Sequence, residues 1–490
     1  MVPAHLSSGG MMSDTKLLSA DDPLPTSIKV SWGAGALGMA LLMNSVGGLI
    51  LFYLTTIVGM SGWIAGLLLS GARIFDALND PVMGYISDRT PEKYGGRRRP
   101  WLLLGAFLCA LSMVMCFNVP FTGDDPATIA YVAFALVFFG IAYTIFNIPF
   151  IAMPAEMTNG YHERSSIHGW RVIFAGIGLT GAGAGAGLLL GWLSDSKTNN
   201  VQVNTQADYT TLSLLYGAII LVACLIAWRG TARAPRRARA IASTMPRGEQ
   251  FASFFRNKPF LTIMSVKCFQ LIAVYSSQAA TFFMVVEVLK RSSSAMALIG
   301  LPMVITSMVA TPLLLKIAKR LGKRGGYMTS ASFVVVSYLS WVFAQPGEPD
   351  WLLVMRGMLV GVGFAGNVLF AMSMVTDAIE WDSHKTGLRR EAMYTAMFSF
   401  VEKMAGALGP AIVGFALSYA GFSATSKATP ETYESVRQAA LTGVAYVPTV
   451  CALISVLLLL LYKLDENTLT KLRANSALTP DTLSPEAKPA

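Results

Sequence analysis

Arg73, Asp76, Asn79 and Asp80 crowd one short apolar stretch, Gly71-Ala-Arg-Ile-Phe-Asp-Ala-Leu-Asn-Asp-Pro81. On a helix Asp76 and Asp80 stand at i and i+4, so both carboxylates lie on one face about a turn apart, with Asn79 between them. Two carboxylates and an amide oxygen form a hard-oxygen cluster suited to a small monovalent cation. Like charges this close can instead share a proton, so the same pair serves either ion. A plainer alternative has Arg73 neutralise Asp76 while Asp80 reaches water at a helix end. It leaves one carboxylate inside the span, so the ion-binding reading is preferred. Pro81, next in line, removes a helix hydrogen bond and frees a carbonyl.

Four more cations interrupt apolar runs: Arg171, Lys267, Arg356 and Lys403. A charge at mid-bilayer costs on the order of 3 kcal/mol even on lenient scales, so each needs a partner or a task. Lys267 and Arg356 stand close enough to span ends to snorkel. Arg171 is near the start of its run and is a candidate for contacting solute. Lys403 lies deep in its run, Phe400-Val-Glu-Lys-Met-Ala-Gly-Ala-Leu-Gly-Pro410, and is the natural partner for Asp76 or Asp80. Glu402 beside it points to another face and receives no role.

These residues need a scaffold of membrane helices. Of 490 residues 53% are hydrophobic and 13% charged, with mean hydropathy +0.52. A soluble domain carries about a quarter charged residues. Twelve helices of about 20 residues each need roughly 240 apolar positions, and the supply is about 260. An outer-membrane barrel, with alternating segments of about ten residues, does not fit. Apolar runs fall near 30–58, 62–87, 100–121, 128–152, 167–193, 211–228, 259–287, 294–317, 325–344, 351–378, 393–420 and 438–463. The expected fold is all-α: twelve transmembrane helices in two pseudo-symmetric six-helix bundles, 28–228 and 259–463. A cytoplasmic tail 1–27, a basic cytoplasmic linker 229–258 and a cytoplasmic tail 464–490 complete the chain. No cleaved signal peptide is expected.

The net charge of +10 is a matter of topology. With both termini in the cytoplasm, about 28 Lys and Arg fall on that side and about five on the other, the positive-inside pattern. Nucleic acid is not an expected partner; the linker arginines suit anionic head groups. Basic loops repeat between the halves: Asp88 and Arg97-Arg98-Arg99 after the second run, Lys319 to Gly326 after the eighth. Asp88, Arg97, Arg98 and Arg99 are expected to form a gate, paired with neighbouring helix ends in one state and released in the other. The glycines between Gly176 and Gly187 suit close helix packing. The five cysteines have no metal-ligand spacing, and no P-loop or nucleophile–base pair appears.

At this point the residues resemble one family. The stretches Arg73–Tyr85, Arg98-Arg-Pro-Trp101, Tyr143-Thr-Ile-Phe-Asn-Ile-Pro149 and Asp377 to Lys403 are similar to the glycoside–pentoside–hexuronide:cation symporters, melibiose-permease-like members of the major facilitator superfamily. The resemblance implies a sodium site at Asp76, Asn79, Asp80 and Thr144, a coupling lysine at Lys403, and substrate contacts at Arg171, Arg73, Tyr143 and Asn147. It departs in the sugar pocket, where the family's galactoside-binding acids fall at Ala40 and Asn147 and its stacking Trp at Ile151. The implied function is symport of a sugar, glycoside or uronide by alternating access. Coupling is to Na+ or H+, with no cofactor, by a monomer in the plasma (inner) membrane. An amphiphile such as a lysolipid is the alternative solute, and a non-transporting membrane sensor the rival of another class.

Overall fold

A computed structural model describes residues 24–91, 96–158, 161–194, 196–198, 201–234, 257–386, 391–422, 433–462 and 464. Most of the basic linker, both tails, and Arg389 and Arg390 lie outside the described residues.

The described chain is helical, with one short antiparallel hairpin, Ser196–Thr198 against Val201–Val203. The first half holds α1 (Thr26–Phe52), α2 (Gly62–Asp88), α3 (Arg99–Cys116), α4 (Pro126–Ala152), α5 (Tyr161–Thr180, continuing through a π-helical Gly181–Gly185 to Leu193) and α6 (Gln206–Gly230). The second half begins with α7 (Lys258–Phe283). One helical run, Ala297–Ser340, then carries a break at Gly322 (φ 75°, ψ 169°), which divides it into α8 (297–321) and α9 (323–340). Only glycine adopts that geometry cheaply, so Gly322 turns the chain back toward the bilayer. The half ends with α10 (Asp350–Gly366, extended through Thr386), α11 (Glu391–Tyr419) and α12 (Tyr433–Leu441, extended through Leu461).

Ten described helical runs are long and apolar enough to cross a membrane. Dividing one at Gly322 and adding the 27-residue α2, which carries Arg73, Asp76 and Asp80, gives twelve candidate crossings among the described residues. Local signals fix the ends. Thr205 and Asp208 form a capping box at the start of α6, and the Asn257 side chain accepts from the Phe260 amide at the start of α7. Of the ten apolar runs, those of α1 and α7, equivalent places in the two halves, are the most buried.

The halves meet along three lines on the side away from the termini. Phe52 at the end of α1 packs on Phe282 and Phe283 at the end of α7, with ring centroids 4.7 and 5.0 Å apart. A Cβ on Gly62 of α2 would lie 2.7 Å from the Gly414 carbonyl of α11, and the Trp63 amide donates to Ser418 Oγ at 2.8 Å. A Cβ on Gly187 of the α5 run would lie 2.5 Å from the carbonyl of Ser293, just before α8. Small residues let these backbones touch, and that side of the molecule is sealed. On the terminal part of α5, Cβ atoms at Gly169 and Gly176 would meet open space.

Candidate functional site

Helix α2 carries Asp76 and Asp80 toward α4 and α11. The facing position of α4 is Gly140, where an added Cβ would stand 3.5 Å from the Asp76 Cβ, so α4 comes close enough for Thr144 to reach both acids. Thr144, fully buried, has its hydroxyl 2.8 Å from Asp76 Oδ1 and 2.9 Å from Asp80 Oδ1. One hydroxyl carries one proton, so that proton is shared between two acceptors.

Lys403 comes from the second half. Its Nζ stands 2.8 Å from Asp76 Oδ2 and 2.6 Å from Asp80 Oδ2. It also donates to the Asp76 backbone carbonyl at 3.1 Å. Three ammonium protons thus meet three acceptors. Asp76 is 3% exposed, while the Asp80 side chain keeps 21% of its surface open. Two carboxylates against one ammonium leave a net negative charge, and buried charge of that kind draws in a further cation. Ser70 Oγ, two turns up α2, donates to the Ala407 carbonyl at 2.6 Å and continues the contact with α11.

Asn79 is half-buried on α2, and among the described residues it makes no hydrogen bond. Arg73 does not make the pair with Asp76 that the plainer alternative required. Its guanidinium donates to Met43 Sδ on α1 and lies 5.9 Å from the Phe139 ring centroid. The carboxylates are already held by Lys403, so Arg73 turns into the seam between α1 and α4. It still shares a small cavity with Asp76. Pro81 does not break α2, which runs on to Asp88.

Tyr143 on α4 lies within electrostatic reach of Asp76, Arg73, Arg171 and Glu402, which gathers α2, α4, α5 and α11 around one space. Asn147, half-buried, is one turn further along α4. Glu402 is the residue that sequence reasoning set aside. It lies within electrostatic reach of Tyr143 in the first half and of Lys267 and Tyr275 on α7. Neighbouring residues do point to different faces, but α11 is wedged between α2 and α7, and both faces are interior.

Lys267 and Arg356 do not snorkel. Lys267 is 9% exposed, donates to Asn367 Oδ1 on the α10 run, and lies 5.9 Å from the Phe398 ring. Arg356 is 2% exposed and makes a two-pronged pair with Glu348, with its guanidinium 4.4 Å from the Trp341 ring. Polar partners inside the second half hold both more firmly than head groups could.

The four expected gate residues sit at the terminal ends of the first half. Arg98 pairs with Glu156, just after α4, at 2.9 Å and with Asp88 at 3.3 Å. Arg99 donates to the Trp228 carbonyl of α6 at 3.1 Å and covers its ring. Burial pushes the Glu156 carboxyl above its usual range, while Arg98 and Arg97 pull it back. Among the described residues these partners of Arg98 and Arg99 belong to the first half. Arg98 and Arg99 tie the ends of α2, α4 and α6 to one another in this arrangement.

Residues 31–466 match the MFS/sugar transport protein family. The uncharacterised symporter YnaJ of Bacillus subtilis is 28% identical over 89% of this chain and 92% of its own length. The glucuronide carrier protein homolog of Escherichia coli is 24% identical over 90% and 93%. Among solved structures, a bacterial homolog of the human lysosomal transporter Spinster superposes with a TM-score of 0.61 at 16% identity, over 91% of this chain and 97% of that one. That likeness bears on the fold alone. The chain is a membrane transporter, not an enzyme, and belongs to the MFS/sugar transport protein family, among its glycoside–pentoside–hexuronide:cation symporters.

Proposed function

We propose that the protein couples inward movement of a monovalent cation, Na+ or H+, to uptake of a sugar, glycoside or uronide through one central path. Asp76, Asp80, Thr144 and Asn79 take the cation, and Lys403 is its electrostatic competitor. The single observation that carries this reading is the bridge of Lys403, a residue of the second half, onto both aspartates of the first. A cation arriving among these oxygens weakens that hold, and the halves become free to close around solute. Both termini are then cytoplasmic, and the sealed side is external.

The driving force is adequate. One charge crossing 100 mV releases about 2.3 kcal/mol, enough to concentrate a neutral solute about forty-fold. Arg171, Tyr143, Asn147 and Glu402 surround the space where solute meets this machinery. Arg171 suits a carboxylate-bearing solute, in keeping with the glucuronide carrier homolog among the relatives. The test is uptake into proteoliposomes of glycosides and uronides with an imposed Na+ or H+ gradient. Accumulation that collapses with the gradient supports symport; flux indifferent to every cation gradient overturns it.

A further inference from the structure

A cavity separate from the acidic pair opens between the two halves. It has a volume of about 270 Å3 and reaches from Asn44 on α1 and Gly183 on the α5 run into the second bundle. There Ser277 of α7, Trp341 after α9 and Phe364 of α10 form part of its wall. Polar groups on this wall are mostly committed elsewhere. Asn367 accepts from Lys267, Gln270 accepts from the Tyr327 hydroxyl, and Arg356 is saturated by Glu348 and Ser340. Apart from Asn44, Gln278 and the hydroxyls of Thr180, Ser277, Thr281 and Ser455, what faces the space is mostly aromatic and aliphatic carbon. No carboxylate lines it.

Resting on the symport reading above, we infer that this cavity is a side pocket for the apolar part of the solute. The transported compound is then a glycoside or uronide with an aryl or similarly carbon-rich aglycone, whose polar head lies toward Lys403. Three arguments lead there. An apolar cavity of about 150 Å3 accommodates benzene, so 270 Å3 has room for about ten carbon atoms, a naphthyl-sized group. A bare sugar needs hydrogen-bonding partners over most of its surface, and these walls have few to spare. Finally, the lining comes from both halves, so an occupant touches α1 and α5 on one side and α7 to α10 on the other. Such a ligand binds one arrangement of the halves better than the other, which is what biases their rocking.

Position 183 offers a clean probe, because a Cβ there meets nothing within 4 Å. Gly183→Leu therefore fills the cavity without displacing packed atoms. Full-length protein in nanodiscs is titrated with the methyl, phenyl and 2-naphthyl glycosides of one sugar, and separately with 2-naphthol. Affinity is expected to rise about tenfold from methyl to phenyl and again to naphthyl. Gly183→Leu should erase that gain and leave the methyl glycoside as before. Ser277→Leu, from the opposite wall, repeats the test should the first variant fail to fold. Equal affinity across the series, or an aryl gain that survives both fillings, overturns the side pocket. If no glycoside binds but 2-naphthol stabilises the protein in a Gly183-sensitive way, the pocket stands and the sugar reading falls. If neither class binds, the pocket falls too.

Discussion

Of the three lines where the halves meet, α5–α8 and α2–α11 are built differently. Where α5 meets α8, the contact is small-residue packing: Gly187 against Ser293 and Met296, Gly191 against Ser294. Where α2 meets α11, the same kind of packing at Gly62, Gly66, Pro410 and Gly414 gives way, deeper in, to Lys403 between two aspartates. The first junction has nothing an ion can change. In the second, the strength of the contact depends on what else occupies the carboxylates. On the proposed mechanism, one side is a passive slide and the other an ion-sensitive clasp, and a cation gradient acts on only one of them.

Removing a carboxylate should break the clasp most completely. Asp76→Asn or Asp80→Asn leaves a single acid for Lys403, a balanced pair with no charge left to attract a further cation. Cation-driven accumulation should vanish, while cation-independent solute exchange in proteoliposomes remains. Accumulation by Asp80→Asn with the wild-type sodium dependence would show the acidic pair to be structural.

Lys403→Ala tests the other arm. Two acids a turn apart lose the partner that holds them, at a cost of about 3–5 kcal/mol for a buried pair. Occupancy of the site then recovers part of it, about 2.7 kcal/mol at a hundredfold excess over Kd. The variant should melt well below the wild type without cation and gain more from added Na+ or Li+ than the wild type does. A variant whose melting temperature ignores every cation would remove Lys403 from the competition.

The slide should be sensitive to size alone. Gly187→Leu places a side chain against the Ser293 carbonyl and Met296, so the sealed side cannot close. Transport should fall more than tenfold while cation binding persists. Thiol labelling of a cysteine introduced on the sealed side should rise. Thr144→Val is milder still. It removes the shared proton and one oxygen from the site, and cation affinity should drop about tenfold with the pair itself intact.

Much of this difference was legible in the sequence. The i, i+4 spacing of Asp76 and Asp80 and the depth of Lys403 within its run pointed to the clasp, because charge in an apolar segment demands explanation. Periodicity alone missed Arg73, whose i, i+3 spacing from Asp76 suggested a pair. Lys403 is closer to both acids, and the guanidinium finds Met43 and Phe139 instead. Lys267 and Arg356 were misjudged for a related reason: their buried partners, Asn367 and Glu348, are 100 and 8 residues away, and sequence depth gives no hint of either. The carbon-rich cavity has no signature at all, since its lining is drawn from seven helices, mostly in ordinary apolar residues. What depends on local spacing can be read from the chain; what depends on which helices meet cannot.

The smallest effect belongs to Asp88, which lies on neither junction. Its carboxylate is 66% exposed and stands 3.3 Å from Arg98, whereas Glu156 is 17% exposed at 2.9 Å from the same guanidinium. An exposed pair contributes at most about 1 kcal/mol, and water replaces it readily. Glu156 is different, because its loss removes the nearer and more buried of the two carboxylates on a buried guanidinium. Asp88→Asn should therefore leave initial uptake rates within about twofold at equal membrane abundance, with Glu156→Gln lowering thermal stability more than Asp88→Asn does. Both ties lie inside the first half, so neither change should alter the cation dependence of transport. If Asp88→Asn instead abolishes uptake, the terminal ends meet across the halves during the cycle, and Asp88 belongs to a further junction formed only in the opposite state.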